Sequence, residues 1–264
     1  MTISTIIFDL DDTLLWDKKS IAEAFRLTCE EAAEKLGETI DFSQLEEDVR
    51  AAARTLYEAY PVYAYTQMIG INPFEGLWGD FDDPTPQFQE MKELVPSYRR
   101  DAWTNGLRSY GIEDAALGAY LGEYFVAARK RSPFLYKETF EVLEQLKEKY
   151  QLVLLTNGAP SLQNTKLEIT PELVPYFDHI IISGDFGKGK PDASIFDHVL
   201  KTANITAEEG IMVGDNLMTD ILGSSRINMK NVWINRENKE PSPIVTPTFE
   251  IDDLKQLQQI VTSI

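Results

Sequence analysis

The sequence is poor in the residues that build disulfide frameworks and zinc sites. Its 264 residues include one cysteine and two histidines, whereas a disulfide needs a pair of cysteines and a structural zinc site needs about four clustered cysteine or histidine ligands. Cys29 lies in a helical pattern, which predicts a small core residue and not a nucleophile. His179 and His198 have no partner at ligand spacing, so we expect structural roles for both.

Long apolar runs and clustered positive charge are also missing. No run approaches the roughly 20 residues of a membrane-spanning helix, and the opening apolar stretch ends at Asp9 without a basic region, unlike a signal peptide. The 25 Lys and Arg against 43 Asp and Glu give a net charge of −18, with no basic stripe for nucleic acid or anionic lipid. We therefore expect a cytoplasmic protein, monomeric or weakly dimeric, with neither nucleic acid nor membrane as a partner.

Apolar residues are plentiful, at 43% of the chain, and they fall into short runs separated by helical patterns. Each run is continuous and rich in branched residues, which is typical of parallel strands covered on both faces. The alternation of strand and helix predicts a doubly wound, Rossmann-like α/β fold. The predicted strands are 5–8, 152–155, 179–182, 210–213 and 231–234, followed by a short strand and an amphipathic helix within 248–264.

The spacing of these runs predicts an inserted domain. About 140 residues separate the first two strands, far more than a crossover needs, and most of them show helical periodicity. We expect a mainly helical cap domain at 16–133 and a catalytic core at 1–15 and 134–264. The segment 57–88, rich in Tyr, Gly, Pro and Trp, predicts loops and short helices.

Polar residues follow four of the predicted strands, where an open parallel sheet binds its ligands. These are the segments 9–13, 156–158, 188–191 and 214–220. Asp9 and Asp11 bring two carboxylates close together, which favours a cation or a proton between them. With Asp215, and optionally with Asp220, they form an oxygen-rich set that suits Mg²⁺.

The same residue types suit phosphoryl transfer. An Asp carboxylate is a competent nucleophile toward phosphorus, and a second Asp can protonate the leaving alkoxide and later deprotonate water. Thr156, with the backbone N–H groups of Asn157 and Gly158, can donate hydrogen bonds to the phosphoryl group, while Lys190 can neutralise its charge. The residues therefore predict hydrolysis of a small phosphorylated metabolite.

As a set, the four segments resemble the motifs of the haloacid dehalogenase-like superfamily, in order and well spaced, and the insertion resembles the helical cap of its subfamily I. The resemblance implies that Asp9 is the nucleophile and that Asp11 is the general acid and base, with its backbone carbonyl on the metal. It implies phosphate binding by Thr156 and Lys190, although Lys188 is a neighbouring alternative. It also implies that Asp215 ligates Mg²⁺ and that Asp220 supports the site directly or through water.

The substrate is less constrained by these residues. The overall pattern, including 69–78, resembles a bacterial group assigned as phosphoserine phosphatases, which implies a place in serine biosynthesis. Phosphoserine would need an acid such as Glu75 for its ammonium group and an arginine for its carboxylate; the candidates are Arg54, Arg99 and Arg100. Sugar phosphates and nucleoside monophosphates stay open. The aromatic residues of the cap are expected mainly to pack its own core.

Three rival functions share the fold. Dehalogenases of the superfamily lack the second Asp and need no metal, so Asp11 and Asp215 oppose that assignment. A phosphomutase uses the same motifs, and Thr13, where mutases often carry Val, favours hydrolysis. A non-catalytic binding module is opposed by the intact set of motif residues.

Overall fold

The computed structural model describes residues 2–37 and 40–264, in which the chain divides into two compact units. We call the first the sheet unit: Met1–Asp17, Phe134–Gly158 and Thr170–Ile264. The second, which we call the helical unit, comprises Lys18–Pro133 and Ala159–Ile169. Residues 159–169 thus group with the helical unit, whereas the sequence assigns them to the core. The predicted division into a cap domain at 16–133 and a core at 1–15 and 134–264 stays a prediction.

The sheet unit contains six parallel strands in the part of the chain that the structure describes. Their order is β3-β2-β1-β4-β5-β6, so the chain winds outward from β1 in one direction and then returns to its other side. This topology confirms the predicted doubly wound α/β fold. The strands are β1 Thr5–Phe8, β2 Gln151–Thr156, β3 His179–Ile182, β4 Gly210–Gly214, β5 Lys230–Ile234 and β6 Phe249–Ile251.

The helices cover the two faces of this sheet and build most of the helical unit. In chain order, those of the described ranges are α1 Asp17–Leu36, α2 Phe42–Glu58, α3 Tyr63–Ile69, α4 Pro73–Gly76, α5 Pro86–Leu107, α6 Ala115–Lys130, α7 Thr139–Lys147, α8 Pro160–Glu168, α9 Ser183–Phe186, α10 Ala193–Ala203, α11 Leu222–Arg226 and α12 Leu257–Ser263. A π-helix, Leu217–Ile221, directly precedes α11. Among residues 2–37 and 40–264, none of the helices combines the length and apolar character needed to cross a bilayer.

The helical unit packs around its own aromatic core. Trp78, Tyr98 and Trp103 are fully or almost fully buried, and the half-buried Tyr60 and Tyr65 pack against the same cluster. Cys29 belongs to this core, and burial raises the pKa of its thiol to about 12. These contacts confirm the expected packing of the aromatic residues and the structural role of the cysteine.

The register of the sheet brings the predicted site residues to one edge. Phe8, the last residue of β1, pairs with Leu154 of β2 and with Val213 of β4. The chain therefore leaves β1, β2 and β4 side by side, at the point where the winding direction changes. Parallel sheets of this topology bind ligands at that point.

Candidate active site

The loop that follows β1, residues 9–13, is held in a tight turn that we call the catalytic loop. The Asp9 amide donates to the Val213 carbonyl over 2.9 Å, and the next turn is closed by Leu14 and Leu15 amides that donate to the Leu10 carbonyl. Asp12 takes a left-handed conformation with φ of 56°. The buried leucines anchor the turn to the core, so the loop presents Asp9 at the carboxyl edge of the sheet.

Lys190 lies between two carboxylates at the centre of the site. Its Nζ is 2.6 Å from Asp9 Oδ1 and 2.7 Å from Asp220 Oδ1, and it also donates to the Leu155 carbonyl over 2.8 Å. The Lys190 side chain is 2% exposed. Lys188, by contrast, is 52% exposed and pairs with Asp192. The geometry thus favours Lys190 over Lys188 as the lysine that meets the substrate phosphate.

Asn157 holds the segment that carries Lys190. Its side-chain amide donates to the Lys190 carbonyl over 2.9 Å and its Oδ1 accepts the Lys190 amide over 2.8 Å. The sequence predicts a function only for the backbone N–H of Asn157. It does not predict that the Asn157 side chain holds the backbone of Lys190. Gly158 N–H donates to Ser183 Oγ over 2.9 Å; its predicted donation to phosphate stays a prediction, and it would require this bond to be shared or released.

Three carboxylates converge in a group suited to a metal ion. Asp9, Asp215 and Asp220 each offer an oxygen within 4.8 Å of the others. The side chain of Asp11 is not a member of this group, whereas the sequence predicts its carboxylate beside that of Asp9. A metal contact through the backbone carbonyl of Asp11 stays a prediction. These three carboxylates meet two ammonium groups, the buried Lys190 and the more exposed Lys239, which lies 4.0 Å from Asp215, so negative charge is in excess. Hard oxygen donors are the ligands that Mg²⁺ prefers. The donor set therefore fits a magnesium ion.

The surrounding chain holds both Asp215 and Asp220 in place. Trp233 Nε1 donates to the Asp215 carbonyl over 2.9 Å. Asp220 Oδ2 accepts the Asn216 amide over 3.1 Å, while the Asn216 side chain caps the π-helix. Asp220 is 1% exposed. Its carboxylate both accepts the Asn216 amide and belongs to the group of three carboxylates.

Burial and charge shift the proton affinities of the central pair. Burial raises the pKa of Asp9 well above its ordinary value; Lys190 opposes this rise, and the carboxylates of Asp220, Asp215 and Asp11 add to it. Burial lowers the Lys190 pKa, but Asp220 and Asp9 outweigh burial and the net pKa is raised. A divalent cation among these oxygens would favour the ionised form of Asp9.

The predicted specificity residues of the helical unit make contacts within that unit. Glu75 is buried and pairs with the buried Lys166 over 3.1 Å, and it also accepts the Asn72 amide. Arg99 donates to the Gly79 carbonyl over 2.7 Å. The exposed Arg54 lies over the Phe74 ring, and Arg100, whose side chain is 43% exposed, pairs with its neighbour Asp101. Selection of substrate by these four residues stays a prediction.

Arg236 contacts the catalytic loop and was missed by the sequence reasoning. It donates to the Thr13 carbonyl over 3.2 Å and pairs with Glu138. A signal was available, because Arg236 follows β5 at the same edge of the sheet as the four polar segments.

Comparisons of this chain with known proteins agree on one family. A family model described as haloacid dehalogenase-like hydrolase matches residues 3–228. The chain is 31% identical to a phosphoserine phosphatase from Thermus thermophilus over 253 residues, 96% of each chain. It is 30% identical to a glyceraldehyde 3-phosphate phosphatase from Pyrococcus abyssi over 233 residues, 88% of this chain and 81% of the relative. A crystal structure of the HAD-hydrolase YfnB from Bacillus subtilis, bound to magnesium, matches 99% of both chains with 26% identity and a TM-score of 0.67.

Proposed function

This chain belongs to the haloacid dehalogenase-like hydrolases, and we propose that it cleaves a small phosphomonoester with Mg²⁺ through a covalent aspartyl-phosphate on Asp9. The coarser assignment, a phosphoric monoester hydrolase, follows from its relatives. The observation that carries the proposal is the buried cluster in which the Asp9 carboxylate meets Lys190 at 2.6 Å and lies with Asp215 and Asp220.

In the first step, the Asp9 carboxylate attacks phosphorus. A bond forms between a carboxylate oxygen and phosphorus while the bond from phosphorus to the ester oxygen breaks. Asp11 gives its proton to the departing alkoxide, so that the alcohol leaves neutral. The hydrogen bond from Thr13 Oγ1 to Asp9 Oδ2, 3.2 Å long, leaves Oδ1 as the oxygen beside Lys190.

In the second step, water restores the enzyme. Asp11, now ionised, removes a proton from a water molecule, and the water oxygen bonds to phosphorus. The bond between phosphorus and Asp9 breaks, which releases inorganic phosphate and the free Asp9 carboxylate. Asp11 is again protonated, so the cycle balances.

Fixed charges stabilise the phosphoryl group in both steps. Lys190 is held in place by Asn157 and by two carboxylates, so its ammonium costs little reorganisation when negative charge shifts onto the phosphoryl oxygens. Thr156, which is 1% exposed at the end of β2, is placed to donate a further hydrogen bond. Asp9, Asp215, Asp220 and the Asp11 backbone carbonyl would hold Mg²⁺, which offsets phosphate charge when bound.

For the substrate we propose O-phosphoserine, which would place the enzyme in serine biosynthesis. The support is the 31% identity to a phosphoserine phosphatase across 96% of both chains. A second candidate class is supported by the glyceraldehyde 3-phosphate phosphatase relative, which is 30% identical. Nucleoside monophosphates and a phosphomutase reaction are the remaining alternatives, whereas dehalogenation is opposed by the metal-suited carboxylates.

The test is phosphate release with Mg²⁺ from a panel that contains O-phosphoserine, glyceraldehyde 3-phosphate, hexose phosphates and nucleoside monophosphates. We expect phosphoserine to have the highest kcat/KM and the Asp9→Asn variant to lose activity by at least about a thousandfold, because an amide is a poor nucleophile. Another leading ester would reassign the substrate and keep the mechanism. Wild-type activity in the Asn variant would exclude the covalent route, and full activity after chelation would exclude Mg²⁺.

A further inference from the structure

Arg236 is a partly buried cation that the proposed chemistry does not use, yet it touches the catalytic loop. Its side chain is 15% exposed, and one terminal nitrogen lies 2.5 Å from Glu138 Oε1. The other terminal nitrogen donates to the Thr13 carbonyl over 3.2 Å. Its Cζ lies 3.6 Å from the centroid of the Tyr136 ring. The planar group is therefore fixed by an ion pair, a stacking contact and the loop itself.

Thr13 links this contact to the nucleophile. Thr13 is fully buried, and its hydroxyl donates to Asp9 Oδ2 over 3.2 Å. The carbonyl that Arg236 binds and the hydroxyl that orients Asp9 thus belong to one residue. A shift of the Thr13 backbone would rotate the hydroxyl away from the carboxylate.

The loop needs such external support. Asp12, which precedes Thr13, has φ of 56°, a left-handed conformation that is strained for a non-glycine residue and persists where its surroundings hold it. The neighbouring Thr139 hydroxyl donates to the Leu14 carbonyl over 2.9 Å. Arg236 and Thr139 therefore bind successive carbonyls of the same turn.

We propose that Arg236 is a positioning residue, which fixes Thr13 and through it the attacking carboxylate of Asp9. The inference rests on the proposed function, because it predicts an effect on attack at phosphorus. An arginine suits the place because its fork reaches two acceptors in one plane while its flat face lies on an aromatic ring; a lysine is a point charge without that geometry.

The decisive variant is Arg236→Lys. It retains a positive charge for Glu138 but loses the second donor and the stacking face. We expect kcat to fall about tenfold because the nucleophile is less well oriented, while KM stays within about twofold of wild type. The melting temperature should change little. A purely structural role, in contrast, would leave kcat intact in a variant that keeps the ion pair.

Two further variants complete the test, a control for loss of stability and a second change at the contacts of Arg236. Val199→Ala, in the core of the sheet unit, lowers the melting temperature without touching the loop, and its kcat should stay within about twofold of wild type. Tyr136→Leu removes the ring under the guanidinium but leaves Arg236, and kcat should fall about threefold. If Arg236→Lys folds poorly, the kcat of Tyr136→Leu decides whether Arg236 positions the catalytic loop.

Hydrogen exchange of the amides in residues 10–15, without substrate, supplies a readout that needs no activity. Faster exchange in Arg236→Lys but not in Val199→Ala, together with the loss in kcat, supports the positioning role. Unchanged exchange, or a kcat within about twofold of wild type, overturns it, as does an equal kcat loss in Val199→Ala. If the wild-type enzyme releases no phosphate from any ester, the proposed function fails, and hydrogen exchange alone still decides whether Arg236 fixes the loop.

Discussion

At the scale of single residues, the site depends on one ammonium group that is shared between two buried carboxylates. Lys190 is 2% exposed and contacts Asp9 and Asp220 at 2.6 and 2.7 Å. Carboxylates buried without a cation are strongly unfavourable, because water no longer compensates their charge. The proposed function therefore gives Lys190 two effects that should be separable: stabilisation of the metal-free fold and neutralisation of the substrate phosphate.

Lys190→Met should reveal both effects. We expect kcat/KM to fall at least about a hundredfold, since a preorganised donor to the phosphoryl group is lost. Without Mg²⁺, the free energy of unfolding should fall by about 3 kcal/mol, because two carboxylates are left without their partner. Mg²⁺ should recover part of this loss in stability and little of the activity. Phosphate release and urea denaturation with and without Mg²⁺ measure the two effects.

The matched control is Lys188→Met, two residues earlier. Lys188 is 52% exposed and pairs with Asp192 at 3.5 Å, and exposed pairs contribute little. We expect its activity to stay within about twofold of wild type. A larger loss in the Lys188 variant than in the Lys190 variant would reverse the assignment of the phosphate-binding lysine.

The residues that could be predicted from the sequence are those whose place in the fold follows from a strand end. Asp9, Thr156 and Asp215 follow strand ends, so the sheet alone brings them to one edge. Asn157 and Ser183 also follow strand ends, but the rule gives only their edge of the sheet and not their partners. The contacts of Asn157 with Lys190 and of Ser183 with Gly158 depend on the path of the chain beyond the strands. Spacing in the sequence does not encode that path.

At the scale of elements, the end of β4 is shaped for the carboxylate cluster. A Cβ on Gly214 would lie 2.3 Å from Asp220 Cγ, far inside contact distance. Gly214→Ala should therefore displace Asp220 from Lys190, weaken Mg²⁺ binding at least about tenfold and reduce kcat/KM about a hundredfold. Isothermal titration with Mg²⁺ and initial rates provide the measurements.

Gly210→Ala offers the control, at the other end of the same strand. Its added Cβ would lie 2.9 Å from the terminal methyl of Met229, and a flexible methionine can move aside. We expect some loss of stability but activity within about threefold of wild type. Equal losses of activity in both glycine variants would mean that damage to β4 in general, and not displacement of Asp220, is responsible.

Within the helical unit, the buried pair of Glu75 and Lys166 connects α4 to α8. Glu75→Gln should lower the free energy of unfolding by about 3 kcal/mol, because the buried Lys166 ammonium loses the Glu75 carboxylate. Adding Lys166→Met should recover a large part of that loss, since the buried positive charge is then removed. Urea denaturation of the wild type, both single variants and the double variant forms the cycle; additive effects would contradict coupling between the two residues.

The elements themselves were largely predictable, and the exceptions have physical causes. Strand runs buried on both faces are continuous, so their positions could be read directly. Phe140, Leu143, Leu146 and Tyr150 recur at helical spacing, yet α7 ends at Lys147, because spacing alone does not mark a C-terminus. α4 was not located, although Asn72, Pro73 and Glu75 form a capping box with proline at the first position. This capping box is a local sequence pattern from which α4 could have been predicted, and the substrate contact of Glu75 stays a prediction.

At the scale of the whole molecule, the net charge of −18 opposes the approach of a dianionic ester. The field of many surface charges extends about one Debye length, roughly 30 Å at 0.01 M salt and 8 Å at 0.15 M. Screening should therefore help this enzyme bind its substrate, although it weakens most attractions between charges. The charged cluster inside the site is buried and should respond much less.

We expect kcat/KM for the leading ester to rise about two- to fivefold as NaCl is raised from about 10 to 150 mM at saturating Mg²⁺, through a lower KM and an unchanged kcat. A variant with four exposed glutamates changed to glutamine has a net charge of −14, from −18 plus four, and should show a weaker salt dependence. Those residues are Glu34, Glu47, Glu58 and Glu90. Initial rates at fixed free Mg²⁺, with sucrose as an uncharged control, give the slopes. Equal slopes for the variant and the wild type would show that the salt acts on the buried site and not through the surface charge, because only the surface charge differs between the two proteins.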